Sequence, residues 1–259
     1  MSVLLLRLAA PLQSWGCGSI LESKRNTMTE PTKSGVIGIL AAALGRDHKD
    51  DISDLASLKF GVRVDQPGRE MRDYHIAHDP EQKSANVTNR YYLADAVFVV
   101  GFESDNFAFL SKIAKALVHP VYPIFLGRKS CVPNLPLLLG VKEGLLLDVL
   151  RNEKWHASEW WQNTKNKQKW LLRLCYDCEP DMPTSYSQCD VPISFDRDCR
   201  KYAWRNIATE FVDALKLVDS GKETTVTEHD SFLELDCELD VDFANTYTEF
   251  DAMSVLEFD

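Results

Sequence analysis

The chain alternates between apolar runs that suit buried strands and runs with helical spacing. Residues 2–8 are almost wholly apolar and read as a buried first strand. In residues 31–46, PTKSGVIGILAAALGR, the residues Val36, Ile37, Leu40, Ala41 and Leu44 recur at helical intervals. Pro31 and Thr32 break what precedes them, and Gly45 suits the end of a last turn. This helix is short and apolar on more than one side, so it should lie buried against a sheet. Residues 58–65 suggest a second strand, and residues 92–102, rich in Val and Phe, a third. Asp105 can cap a helix bearing Phe107, Leu110, Ile113, Ala114 and Leu117 on one face, stopped by Pro120. A strand-like run precedes Gly127. The order strand–helix–strand, strand–helix–strand is that of an α+β, ferredoxin-like sheet, a superfold that serves many functions.

Between these elements, residues 66–92 are long and polar, with Arg69, Arg72, Lys83 and Arg90; such a stretch is usually functional or disordered. Residues 140–200 read as a smaller second unit, with strands at 170–176 and 190–195, and residues 209–218 as a short helix. In residues 233–243 apolar residues (Leu233, Leu235, Cys237, Leu239, Val241, Phe243) alternate with acids, the signature of a strand with one acidic face. The expected division is therefore 1–140, 141–218 and an acidic extension, 219–259.

Charge sharpens this division. The formal net charge of −10 conceals a split: residues 219–259 hold 13 acids and one base, and the other 218 residues hold 28 bases and 26 acids. A body at +2 leaves a nucleic-acid partner open, where a uniform acidity would argue against one. No apolar run reaches the length of a membrane span. Seven cysteines form an odd count without scaffold density, so a reducing cytoplasm is expected.

Three sites combine cations with glycine or a hydroxyl. They are Trp15 and Gly16 followed by Lys24 and Arg25; Lys33 and Ser34 at the helix start; and Gly127, Arg128, Lys129 and Ser130. Glycine lets backbone approach a phosphate that neighbouring cations neutralise, a helix N-terminus favours anions, and an exposed Trp15 would stack a base. Cys175, Cys178, Cys189 and Cys199 have only one knuckle-like pair, so buried or surface thiols are favoured over zinc. Tyr74 and His75 beside Arg72 raise metal-independent RNA cleavage, against the simpler reading that they end a strand. No P-loop, dinucleotide fingerprint or zinc-protease motif is present, and no cofactor is expected.

Several ordered motifs resemble one family. LRLAAPLQSWG (6–16), PTKSG (31–35) with Gly38 and the glycine at 45, MRDYH (71–75) and PVYPIFLGRKSC (120–131) are similar to the fifth Cas protein family, in its subtype I-E branch. The likeness is strong over residues 3–140 and looser over 141–205. It implies a ferredoxin-like, RRM-like domain in a non-catalytic subunit of Cascade, the CRISPR RNA-guided antiviral surveillance complex. Such a subunit caps the 5′ handle of the CRISPR RNA, meets the backbone and large subunits, and touches target DNA only indirectly. A β-hairpin thumb is implied within residues 73–92. Trp15, Lys24, Arg25, Lys33, Ser34, Arg72, Gly127, Arg128 and Lys129 become the handle-binding candidates. In subtype I-C the equivalent protein cuts precursor RNA, so endoribonuclease activity is the alternative. The extension 219–259 has no counterpart in that pattern and is too poor in ligands for an HNH nuclease.

Overall fold

The computed structural model describes residues 1–16, 24–78, 85–165, 170–182 and 186–219. The alternating stretch 233–243, and nearly all of the acidic extension, lie outside them. The elements are β1 (Ser2–Ala9), β2 (Leu12–Gln13), β3 (Lys24–Arg25), α1 (Lys33–Ala43), α2 (Ser53–Ala56), β4 (Lys59–Gln66), β5 (Arg69–His78), β6 (Ala85–Ala94), β7 (Val97–Ser104), α3 (Phe107–Val118), β8 (Leu138–Glu143), α4 (Leu146–Asn152), α5 (Glu159–Lys165), β9 (Leu171–Asp177), β10 (Tyr186–Ser194), β11 (Lys201–Asp213) and α6 (Ala214–Asp219).

The large sheet has seven strands in the order β10–β11–β9–β4–β7–β1–β8, and each neighbouring pair is antiparallel. Strand β1 sits between β7 and β8, and its alternate residues feed two cores. Leu4, Leu6 and Leu8 pack with α1 and α3, while Val3 and Leu5 pack with Leu146 and Leu150 of α4. An all-apolar strand is stable only when both faces are covered, each buried leucine contributing about 1.5–3 kcal/mol. The sheet face opposite α1 and α3 is thus partly roofed by α4 and is not an open platform.

Helix α1 forms where its spacing predicts. Thr32 is its N-cap, accepting from the Gly35 amide at 3.2 Å, and Gly45 follows at φ +76°. Asn106, not Asp105, caps α3, accepting from the Phe109 amide at 3.0 Å.

Several expectations need correction. The strand expected over 92–102 is broken at Asp95, which has φ +56°; residues before it belong to β6 and residues after it to β7. The run before Gly127 is not a strand; prolines at 120 and 123 lack the N–H that a ladder needs. The fourth strand is β8 instead. Residues 209–213 continue β11, and the helix begins only at Ala214. Strands β9–β11 extend the sheet begun by β1, and residues 1–222 group as one unit.

Strands β5 and β6 form an antiparallel hairpin with Arg69 opposite Ala94 and His78 opposite Ala85. Ten residues at about 3.4 Å each give a ribbon roughly 34 Å long. It joins the small second sheet, where β6 also pairs with β2 and, in parallel, with β3.

Candidate nucleic-acid interface

The residues expected to meet RNA fall into distinct environments. Trp15, expected to be exposed, is 1% exposed. Its indole N–H donates to Gln13 Oε1 at 3.2 Å, and a Cβ at Gly35 would lie 3.0 Å from the ring. Gln13 in turn donates to the Ala96 carbonyl at 2.8 Å. Trp15 therefore fills core beneath α1 and has no face for a base.

Lys33 is also enclosed. Its ammonium lies 3.0 Å from Asp177 Oδ2, and its backbone N–H donates to Asp190 Oδ2 at 2.8 Å. Arg205 completes the cluster, reaching Asp190 Oδ1 and Asp177 Oδ1, each at 2.6 Å. The favourable field at the start of α1 is thus answered by carboxylates of β9 and β10, the intramolecular counterpart of the expected phosphate. Residues 144 and 157 positions away supply them. Ser34 is half-buried, with its hydroxyl 3.5 Å from Thr32 Oγ1.

The remaining cations gather at the base of the hairpin. Arg25 of β3 is exposed and pairs across the ladder with Arg90 of β6. Tyr92, two residues further along β6, points to the same side as Arg90. The Arg128 guanidinium stacks over the Tyr92 ring with Cζ 4.4 Å from its centroid, and Nη2 donates to the Arg25 carbonyl at 3.0 Å. Arg128 Nη1 and Arg90 Nε are buried without a hydrogen-bond partner among the described residues. Lys129 is exposed beside them.

Gly127 fixes this loop. Its φ is +96°, and a Cβ there would lie 1.7 Å from the Ser14 carbonyl oxygen. Only glycine lets the loop approach that closely. The Ser14 amide donates to Leu126 O at 3.0 Å, tying the turn to the strand below.

Arg72 is exposed and donates to Asn89 Oδ1 at 2.9 Å, a register position adjacent to Arg90 and so on the other side of the ribbon. Lys24 lies opposite Asn89 by its backbone. Arg90 and Tyr92 were not singled out from the sequence as site residues. Their signal was an arginine and a tyrosine two positions apart at the end of a basic stretch.

Two chemistries considered from sequence find little support in the geometry. Tyr74 and His75 are exposed neighbours on β5, so their side chains leave opposite faces of the ribbon and do not converge on one scissile bond. Among the described residues no three Cys, His, Asp or Glu side chains form a metal cluster. Cys189 and Cys199 are exposed, whereas burial, with Glu30 adding, pushes the Cys175 thiol up to about 11.

A family model described as "CRISPR-associated protein (Cas_Cas5)" matches residues 3–208. The chain belongs to the Cas5 family of CRISPR-associated proteins. It is similar to the CRISPR system Cascade subunit CasD of Escherichia coli strain K12, with 36% identity over 160 residues, 54% of this chain and 70% of that relative. Among solved structures it resembles a chain of a CRISPR RNA-guided surveillance complex, with a TM-score of 0.67 and 33% identity over 83% of this chain and 92% of that one. A Cas protein crystal structure matches with a TM-score of 0.64 and 35% identity, over 83% of this chain and 97% of the other. Among the described residues of this Cas5 protein, no helix is long and apolar enough to cross a membrane.

Proposed function

We propose that this Cas5 protein is a non-catalytic subunit of a type I-E Cascade complex, working in the cytoplasm, that binds and caps the 5′ handle of the CRISPR RNA. The observation that carries this reading is the gathering of Arg25, Arg90 and Arg128 at the hairpin base, where Arg128 Nη1 and Arg90 Nε find no hydrogen-bond partner among the described residues. Unneutralised arginines in one place suit a polyanion. Lys129 and, from the other side of the ribbon, Arg72 extend the contact surface, and Lys24 is proposed with them from its place beside Arg25 on β3. Gly127 shapes the loop, while Trp15 and Lys33 hold the fold around α1 and Ser34 lies at that helix's start.

The strand order β4–β7–β1–β8, with α1 linking β1 to β4 and α3 linking β7 to β8, supports the ferredoxin-like reading of the domain. The hairpin β5–β6 is the proposed thumb, reaching along the guide to a backbone subunit, with the large subunit nearby and target DNA met only through the complex. The divergence of Tyr74 and His75 supports a role without bond cleavage.

Handle binding by the full chain tests this. Replacing Arg25 and Arg128 together with alanine should weaken binding of a 5′-handle RNA and flatten its salt dependence, by about 0.7 in slope per lost phosphate contact. Unchanged affinity across a salt titration would refute the site. Metal-free cleavage of a repeat RNA, abolished by His75→Ala, would refute the non-catalytic assignment.

A further inference from the structure

We propose that the cavity between the segment leading into α1 and strands β9–β11 is a binding site for a cytosine base. The site goes beyond handle binding and uses none of the arginines at the hairpin base. The cavity holds about 90 Å³. Pro31, Val62 and Ile207, all buried, give it an apolar floor. It reaches the surface at Arg173, whose side chain is 43% exposed, and at Tyr186, which is 46% exposed. Glu30 and Arg173 line it together as an ion pair between Oε1 and Nη2, which leaves Oε2 of the carboxylate and Nη1 and Nε of the guanidinium. The other polar lining groups are engaged elsewhere: Arg205 with Asp177 and Asp190, and Gln188 Nε2 with Asp190. Burial, with Cys175 and Glu30 adding, pushes the Tyr186 phenol up to about 12, and the Cys175 thiol is also raised. Both stay protonated near neutral pH, so neither adds a second negative charge to the wall.

The ion pair sets one acceptor beside several donors. Cytosine has the converse edge, an amine at N4 followed by acceptors at N3 and O2. Its N4–H donates to Glu30 Oε2, and the Arg173 guanidinium donates to N3 and O2. Uracil carries an oxygen in place of the amine, which sets an acceptor against the carboxylate and leaves it unpaired. Guanine also has donors on its edge. A space for about three waters, however, suits a base of one ring better than a base of two. Tyr186 offers its ring as a stacking wall, which adds affinity without choosing between bases.

The test uses the full chain and fluorescent RNA nonamers that differ only at the central base, AAAACAAAA, AAAAUAAAA and AAAAGAAAA. The cytosine nonamer should bind about five- to 150-fold more tightly than the uracil nonamer. Glu30→Ala should erase that ratio. Glu30→Gln, whose amide can turn a donor towards uracil, should narrow it. Tyr186→Leu should weaken both nonamers and keep the ratio, and so should Arg25→Ala with Arg128→Ala; thermal melting checks that each variant folds. Competition with CMP and UMP separates the two sources of the base. Displacement of the cytosine nonamer by CMP at a similar concentration, and not by UMP, marks a free-nucleotide site; displacement only at far higher CMP places the base within a strand. Equal affinity for the cytosine and uracil nonamers, tighter binding of the guanine nonamer, or a cytosine preference that survives Glu30→Ala would overturn the site and leave handle binding standing.

Discussion

The contact between the C-terminal strands and the first helix predicts its own failure when Asp190 is replaced by alanine. Asp190 is 4% exposed. It accepts from Arg205 Nε at 2.6 Å and Nη2 at 3.0 Å, from the Lys33 amide at 2.8 Å, and from Gln188 Nε2 at 3.1 Å. Its removal leaves a buried guanidinium with Asp177 as its remaining carboxylate and strips the first amide of α1 of its acceptor. Breaking a buried ion pair from one side costs about 3–5 kcal/mol, with the orphaned amide included in that range. For a chain of this size that lowers Tm by roughly 6–15 °C. Urea unfolding gives the energy directly, and Asp190→Asn, which keeps an acceptor but loses the charge, should fall between. The double variant with Arg205→Ala should cost less than the two single losses together, because both remove one interaction. A loss below about 1 kcal/mol for Asp190→Ala, or strict additivity in the double variant, would refute the idea that this cluster holds β9–β11 to α1.

Other predictions follow from named contacts. Burial opposes ionisation of Glu153, but hydrogen bonds from His156 and Lys142 outweigh it and hold the carboxyl at about 2. Its stabilisation, on the order of 3 kcal/mol, is therefore complete above about pH 5 and lost as pH falls towards 2; Glu153→Gln should flatten the stability profile across that window. Gly127→Ala forces a Cβ into the Ser14 carbonyl and should cost about 2 kcal/mol or more in denaturant, with handle affinity falling because the Arg128 loop moves. Trp15→Ala should destabilise by about 3–5 kcal/mol, whereas Trp15→Phe, once folded, should bind handle RNA as the wild type does; a stacking role would reverse that second result.

The parts of this fold legible in the sequence are those with a buried face. Leu4 to Leu8 read as a nearly unbroken apolar run because both faces of β1 meet a core, and the α1 residues Val36, Ile37 and Leu40 and the α3 residues Leu110, Ile113 and Leu117 keep a helical spacing because they pack into one. The hairpin carried no such signal. Away from its base, residues such as Met71, Tyr74 and Ile76 are exposed, so nothing imposed an alternation and the ribbon read as a long polar stretch. The fate of Lys33 was hidden for a different reason. A lysine at a helix start reads as a free cation, and only the sheet's long-range register brings Asp177 and Asp190 to it. Arg128 was legible as a cation, but Tyr92 as its platform was not, because strand pairing and a distant loop create that contact.

The most direct measurement is photo-crosslinking of a guide whose 5′ handle carries 4-thiouridine, within the complex assembled on this chain, followed by peptide mapping. The account predicts crosslinks in residues 24–28, 88–92 and 126–131. Handle crosslinks confined to β9–β11, with none in those three segments, would contradict it.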